Sequence, residues 1–343
     1  MPFVRRAHFW LSLAGALAAM SCAADAQDAT TVRVGVLNIL TDAPFIVADR
    51  KGYFHDEGLK VTFLPFHSAA DMVVPMGAGQ LDVGAGAATA GIFNSFARGL
   101  NLRIVADKAS NPVGYGFDKL LVRTDLLASG RFKTPADLKG LTIGENATVL
   151  SPALNMLLKK YRLSAADITR VNLNYSEQIA ALLNGKVDAT ITTEPQATMA
   201  QQTGAVKNVM GGDQWYPNQE IAVVIYSGDF MKNHHDAAQA FMRAYLRGAR
   251  YYYGALKDGH LAGPNASDVI AILTSATDMK DPALYRAITP SFVNPAGKIS
   301  LDSIRNDLQF FRDSGLIEGN VRAEDIVDES FINAAAKNPG AHR

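Results

Sequence analysis

The clearest indication of the fold is the segment Met76-Gly-Ala-Gly-Gln-Leu-Asp-Val-Gly-Ala-Gly-Ala-Ala-Thr89. A similar segment occurs later in the chain as Leu182-Leu-Asn-Gly-Lys-Val-Asp-Ala-Thr-Ile-Thr-Thr-Glu-Pro195. In both, a helical run ends at glycine, and G-x-[LV]-D leads into an apolar segment. Glycine suits the left-handed residue that follows a helix. The aspartate can hold the turn by accepting hydrogen bonds from nearby backbone N–H groups. The repeat predicts two similar α/β units.

Strands and helices alternate around both copies of this segment. In the first unit, the pattern predicts strands at 31–37, 59–66, 82–85 and 102–106 and helices at 43–53, 68–79 and 90–98. In the second, it predicts strands at 141–144, 171–173 and 187–191 and helices at 152–161 and 177–183. Such alternation is typical of mostly parallel sheets covered by helices on both faces.

Two apolar segments bracket the second unit, Asp118-Lys-Leu-Leu-Val-Arg123 and Ile221-Ala-Val-Val-Ile-Tyr226. We interpret them as hinge strands at which the chain crosses between lobes, so that lobe one is 27–119 with 226–343 and lobe two is 120–225. A chain of 343 residues is also longer than one hydrophobic core usually serves. The part after residue 229 is predicted to be largely helical and to complete lobe one; a third, independent domain is the alternative.

The N-terminus has the order of a secretory signal peptide, with Arg5-Arg6, an apolar run over 9–20 and Ala24-Asp-Ala26. The run of about twelve residues is shorter than the roughly 20 needed to span a bilayer. We expect cleavage after residue 26; lipid attachment at Cys22 is the alternative. Cleavage would remove the one cysteine, and with it disulfide and thiolate chemistry. The 33 basic and 33 acidic residues balance, which argues against nucleic-acid binding.

The carboxyl ends of parallel strands, with the helix N-termini that follow them, form the ligand crevice of open α/β sheets. Residues that follow the predicted strands are therefore the candidates for ligand binding: Asn38, Thr41, Asp42, His67, Ser68, Ala88, Thr89 and Lys108 in lobe one, and Asn146, Thr148, Tyr175, Thr193 and Glu194 in lobe two. Lys108 and the positive helix ends favour an anion such as a sulfonate or carboxylate. Five aromatic or imidazole side chains could form a wall for an aromatic ligand: Phe45, Phe66, His67, Tyr115 and Trp215.

The stretch Val47-Ala-Asp-Arg-Lys-Gly-Tyr-Phe-His-Asp-Glu-Gly-Leu-Lys-Val61 resembles the A-x-x-x-G-Y-F-x-x-E-G-L-x-V signature of periplasmic solute-binding proteins of the nitrate/sulfonate/taurine group, which are related to thiamine-pyrimidine binders. The D-L-K-G-L-T-I-G at 137–144 is similar to that family in order and spacing. The resemblance implies a two-lobed, type II (Venus-flytrap) fold. It also implies a monomer in the periplasm that delivers a small organic anion to an ABC permease and ATPase, without a cofactor.

We expect no enzymatic activity and no metal site. No G-x-x-x-x-G-K-[ST] or G-x-S-x-G motif occurs, and His67 has no identifiable catalytic partner. The contiguous His55-Asp56-Glu57 cannot all turn toward one ion. Two alternatives stay open: an enzyme, because thiamine-pyrimidine synthases share this fold, and a sensor domain that signals without transport.

Overall fold

A computed structural model describes residues 29–147 and 151–338. The predicted signal peptide at 1–26, Cys22 and the candidate site residue Thr148 lie outside these ranges. Among the helices that it describes, none is both long enough and apolar enough to cross a membrane.

Two five-stranded sheets organise the described chain, one in each lobe. Their strands are β1 Thr30–Val36, β2 Leu59–Pro65, β3 Val83–Gly86, β4 Leu102–Asn111, β5 Asp118–Arg123, β6 Thr142–Glu145, β7 Thr169–Asn172, β8 Ala189–Thr193, β9 Val206–Gly211 and β10 Gln219–Ser227. A small hairpin pairs β11 Leu256–Lys257 with β12 His260–Leu261. The strand order is β2-β1-β3-β10-β4 in the first sheet and β7-β6-β8-β5-β9 in the second.

Helices pack around both sheets. In the first half of lobe one they are α1 Ala43–Arg50, α2 Tyr53–Asp56, α3 Val73–Gly77 and α4 Ala90–Ala97. In lobe two they are α5 Thr124–Ala128, α6 Ser151–Lys160, α7 Tyr175–Leu183, α8 Gln196–Gln202 and α9 Gly212–Trp215. The C-terminal part contains α10 Gly228–Asn233, α11 His235–Tyr253, α12 Ala266–Ala276, α13 Pro282–Ala287, α14 Leu301–Asp313, α15 Ala323–Ile326 and α16 Ser330–Lys337.

The two sheets repeat one topology, as the sequence predicted. In each, the first strand pairs parallel with the second and third strands of its unit. One antiparallel strand, β10 or β5, then lies between the third strand and the last. The glycines that end the preceding helices, Gly79 and Gly185, have φ of +65° and +70°. These are left-handed angles that glycine adopts without steric cost.

The aspartates of the repeated G-x-[LV]-D segments occupy equivalent positions. Asp82 Oδ2 accepts a hydrogen bond from the backbone N–H of Arg33 in β1 at 2.8 Å. Asp188 Oδ2 accepts one from the backbone N–H of Thr142 in β6 at 3.0 Å. Each aspartate therefore ties the third strand of its lobe to the first.

The chain passes between the sheets at 112–117 and at 212–218. The strands predicted to cross do not cross themselves, because all the ladder pairs of β5 lie in the second sheet and those of β10 in the first. The lobe limits predicted at 119 and 225 thus differ from the sheet assignment by a few residues. Asn111 links the two passages, since its side-chain oxygen accepts from Phe117 N–H at 2.9 Å and its backbone C=O from Asn218 N–H at 2.8 Å.

The helical C-terminal part packs on the first sheet. The ring of Tyr245 in α11 lies 5.0 Å from that of Phe45 in α1. The Tyr226 hydroxyl in β10 donates to the Ala238 C=O at 3.0 Å. These side chains share one buried core cluster with the apolar residues of β1 and β3. The C-terminal helices therefore share a core with the first sheet, unlike an independent third domain.

Candidate functional site

A narrow cavity lies between the lobes, where β3 ends and β5 and β10 begin. Its polar lining comes from Thr89, Asp118, Gln219, Glu220 and Asp307. Its apolar lining comes from Ala87, Ala88, Pro152, Ile221 and Phe311. The volume open to the centre of a water molecule is about 10 Å³, which is room for about one water. In this conformation the cavity is therefore too small for an organic ligand.

The antiparallel strands bring their first residues to this edge. β5 runs against β8, so that Asp118 lies opposite Thr193, the last residue of β8. β10 runs against β4, so that Gln219 lies opposite Asn111, the last residue of β4. The amino ends of β5 and β10 therefore lie beside the carboxyl ends of their neighbours, at the edge where α/β sheets bind ligands.

Apart from Glu220 Oε1, which belongs to a carboxyl pair with Asp107, three buried polar atoms of the lining lack a hydrogen-bond partner among the described residues. They are Thr89 Oγ1, Asp118 Oδ1 and Gln219 Oε1. A buried polar atom without a partner costs about 1–3 kcal/mol, so native proteins rarely leave one unpaired without a reason. Of the predicted site residues, Ala88 and Thr89 lie here, and a ligand could complete the bonding of these three atoms.

Two carboxyl groups of the lining, those of Asp118 and Asp307, each lose their proton near neutral pH. Burial raises the pKa of Asp118 to about 7 and that of Asp307 to about 7. Asp118 accepts a hydrogen bond from Asn111 Nδ2 at 3.2 Å, and Asp307 accepts one from the Tyr216 hydroxyl at 2.7 Å. These bonds only partly replace the lost hydration.

Glu220 forms a carboxyl pair with Asp107 behind the lining. Glu220 accepts a hydrogen bond from Ser300 N–H at 2.7 Å, and Asp107 accepts one from Asn294 N–H at 2.5 Å. Burial raises the pKa of Glu220 well above its usual range, and the charge of Asp107 raises it further. Burial raises the pKa of Asp107 to about 6. The buried pair therefore holds a proton that the two carboxyl groups share.

The predicted site residues Thr41, Asp42 and Lys108 form a buried cluster away from the cavity lining. Lys108 Nζ lies 2.5 Å from Asp42 Oδ1 and donates to Thr41 Oγ1 at 3.2 Å. The side chains of Lys108 and Asp42 are 0% and 1% exposed. Asp42 neutralises the charge that the sequence analysis assigned to an anionic ligand.

Asn38, His67 and Ser68 also lie outside the cavity lining. Asn38 and His67 are exposed. Ser68 Oγ accepts a hydrogen bond from Asp71 N–H at 3.3 Å and so stabilises the turn that starts there. The side chains that follow β1 and β2 therefore serve turns and solvent in this conformation.

In lobe two, the predicted residues that the structure describes do not line the cavity. Thr193 ends β8, and Glu194 accepts a hydrogen bond from Thr198 N–H at 3.0 Å in the first turn of α8. Tyr175 begins α7, and Asn146 follows β6. Lobe two lines the cavity through Asp118, which lies opposite Thr193, and through Pro152.

Most of the lining was not predicted from the sequence, including four of its five polar residues, Asp118, Gln219, Glu220 and Asp307, and the aromatic Phe311. A usable signal was present for several of them. Asp118 and Glu220 are acids near the start of buried strands whose central residues are apolar. Asp307 lies one turn from Phe311 on the buried face of α14. A charged residue at a core-facing position is unusual unless it has a partner or a function.

The predicted aromatic wall is mostly core. Phe45 packs within the lobe-one core, and Trp215 is buried in that of lobe two. The ring of Tyr115 lies 5.3 Å from that of Phe292. Phe311 is the aromatic side chain that lines the cavity.

The His55-Asp56-Glu57 run is held by ion pairs to α11. Arg247 lies 2.8 Å from Asp56, and Arg243 lies 2.6 Å from Glu57. Within the described residues, no group of three or more His, Cys, Asp or Glu side chains could hold a metal ion.

The chain is similar in sequence to a named synthase and in structure to two ligand-binding proteins. The chain is 25% identical over 309 residues to the 4-amino-5-hydroxymethyl-2-methylpyrimidine phosphate synthase of Uromyces fabae, covering 84% of this chain and 81% of that one. Its structure is similar to a ligand-binding component of an ABC-type import system from Staphylococcus aureus (16% identity, 90% and 100% of the chains, TM-score 0.71). It is also similar to the periplasmic aliphatic sulphonate binding protein SsuA of Escherichia coli (18%, 87% and 92%, TM-score 0.67). These likenesses confirm the two-lobed α/β fold.

The expectation that the protein has no enzymatic activity is corrected by these comparisons. The relative from Uromyces fabae is a named synthase that matches most of the chain. The desulfurization enzyme DSZB also has this fold (15% identity, 90% and 99% of the chains, TM-score 0.61). Neither the fold nor the family therefore separates binding from catalysis. A family model described as "NMT1/THI5 like" matches residues 41–255, more than half of the sequence, so the chain belongs to the NMT1/THI5-like family.

Proposed function

We propose that the protein binds a small molecule between its lobes and passes it to an ABC permease and ATPase. The observation that carries the proposal is the set of three unpartnered polar atoms, on Thr89, Asp118 and Gln219, that both lobes contribute to one cavity. The fold of the import-system component from Staphylococcus aureus supports it. The predicted signal peptide at 1–26 supports a periplasmic location, where the protein acts as a monomer.

The class of the ligand depends on the charge of the site. The sequence favoured an organic anion, and the name of the sulphonate-binding neighbour agrees with that choice. The residue on which that prediction rested, Lys108, is paired with Asp42 and does not line the cavity. A screen must therefore include ligands of either charge.

A thermal-shift screen with the purified protein tests the binding proposal. The panel contains aliphatic and aromatic sulfonates, aromatic carboxylates, nitrate, thiamine pyrimidines and organic amines. A ligand at 100 times its Kd adds about 2.7 kcal/mol of stability, which raises Tm by several degrees. Gln219→Met should abolish the shift, because it removes a buried acceptor from the cavity. Asn38→Ala, which changes an exposed residue outside the lining, should keep it. A shift that survives Gln219→Met would place the ligand elsewhere.

A second candidate function is synthesis of a pyrimidine phosphate, which the relative from Uromyces fabae favours. Carboxyl groups with a pKa of about 7, such as those of Asp118 and Asp307, are suited to proton transfer near neutral pH. Complementation of a strain that lacks this synthase tests the idea. Growth without added pyrimidine that is lost with Asp118→Asn would support catalysis. Absence of growth despite soluble protein would oppose it.

A further inference from the structure

We propose that the cavity binds the protonated nitrogen of an organic cation, whose N–H groups donate to Asp118, Gln219 and Thr89. The inference rests on the proposed function, since it names the ligand class of the same site. The proposed ligand class, an organic cation, differs from the aliphatic sulphonates named for the structural neighbour from Escherichia coli.

The lining is acidic, and its carboxyl groups on Asp118 and Asp307 become charged as the pH rises through about 7. Asp118, Glu220 and Asp307 face one narrow space, and no lysine or arginine of the described chain is among the lining residues. A buried carboxylate without a counter-ion is unfavourable, and an opposite charge nearby stabilises the ionised form. A cation in this space would stabilise the ionised carboxylates of Asp118 and Asp307, whereas the same carboxylates would repel an anion.

Two basic residues near the site are paired with carboxylates: Lys108 with Asp42, and Arg170 with Glu145. Lys119, the neighbour of Asp118 in β5, donates from Nζ to the neutral hydroxyl of Thr289 at 2.9 Å. Its charge lowers the pKa of Asp118 less than burial raises it. Among the described residues, neither Asp118 nor Asp307 forms an ion pair with lysine or arginine, so a cationic ligand would supply that contact.

The unpartnered hydrogen-bonding atoms of the cavity lining also favour a ligand that donates hydrogen bonds. Asp118 Oδ1 and Gln219 Oε1 are acceptors without a partner in the described chain, and Thr89 Oγ1 can also accept. A protonated amine offers up to three donors and no acceptor. The ring of Phe311 and the side chain of Ile221 supply an apolar wall for the organic body, and an aromatic ring face also attracts a cation.

Four probes with one aromatic body separate charge from hydrogen bonding: benzylammonium, benzyltrimethylammonium, benzyl alcohol and benzoate. Each is added to the full chain at equal ionic strength, and binding is measured by calorimetry and by Tm. Benzylammonium should bind and raise Tm, whereas the other three should not. Asp118→Asn should weaken benzylammonium binding by about tenfold or more. Asp229→Asn removes the same charge from an exposed position in lobe one and should leave binding unchanged.

Preferential binding of benzoate, or equal binding of benzylammonium by wild type and Asp118→Asn, would overturn the cation assignment. Either result would leave the proposed binding function standing. Failure of benzylammonium to bind would also overturn the assignment, while the wider screen judges the binding function separately. Equal binding of benzyltrimethylammonium would show that charge alone acts, which contradicts the donor role given to the N–H groups.

Discussion

Lys108→Met is expected to lower the free energy of unfolding by about 3–5 kcal/mol, although the new side chain is apolar and similar in length. The change leaves the carboxylate of Asp42 buried without its counter-ion, because both side chains are shielded from solvent and lie 2.5 Å apart. The N–H groups of Leu37 and Ile39, each 3.1 Å from Asp42 Oδ2, remain as donors. Urea unfolding followed by circular dichroism measures the loss.

A double-mutant cycle provides the control. Asp42→Asn combined with Lys108→Met removes both charges, so the double variant should lose less than the sum of the two single losses. If Lys108→Met lowers the free energy of unfolding by less than about 1 kcal/mol, the pair behaves as an exposed ion pair, which would contradict its burial with Asp42.

Lys108 does not line the cavity. A loss of ligand affinity in this variant would therefore have to result from a change in the folded structure and not from a lost ligand contact.

Raising the pH from 5 to 8 is expected to destabilise the ligand-free protein. Burial raises the pKa of Asp118 and of Asp307 from 3.8 to about 7, so the folded state holds protons that the unfolded state releases. The stability contributed by these protons is complete below about pH 4 and is lost as the pH rises through 7. One such shift is worth about 4 kcal/mol.

Calorimetric Tm values at pH 5, 6, 7 and 8 test this expectation. In Asp118→Asn, Tm should fall less steeply between pH 5 and pH 8 and should be higher at pH 8 than in the wild type, because the amide has no charge to bury. The exposed Asp229→Asn should follow the wild-type curve. Parallel curves for wild type and Asp118→Asn would contradict the placement of Asp118 in a dry site. A cationic ligand should restore stability at pH 8 by pairing with the same carboxylates.

The fold could be predicted from the sequence because its signals are local. The repeated G-x-[LV]-D segment fixes a helix end at Gly79 and Gly185 and a strand tie at Asp82 and Asp188. Hydrophobic periodicity supplies the strands and helices between. The expected crossing points differed because apolar runs locate strands, whereas the passages between sheets lie in loop segments with no periodicity.

The site was harder to predict because it depends on strand direction. The rule for parallel sheets points to residues that follow strands, among them Ala88 and Thr89, which line the cavity. Asp118 and Gln219 begin their strands and reach the same edge because β5 and β10 are antiparallel. The pairing of Lys108 with Asp42 joins residues far apart in sequence, and no local pattern indicates such a contact.

The distance between the lobes, measured with and without ligand, tests whether the ligand binds between lobes that close around it. Exposed Val74 in α3 of lobe one and Met199 in α8 of lobe two can be changed to cysteine in a Cys22→Ser background and spin-labelled for electron paramagnetic resonance. Adding the compound that gives the largest thermal shift should replace a broad, longer distance distribution with a single shorter one. An unchanged distribution at a ligand concentration that raises Tm would contradict binding between closing lobes.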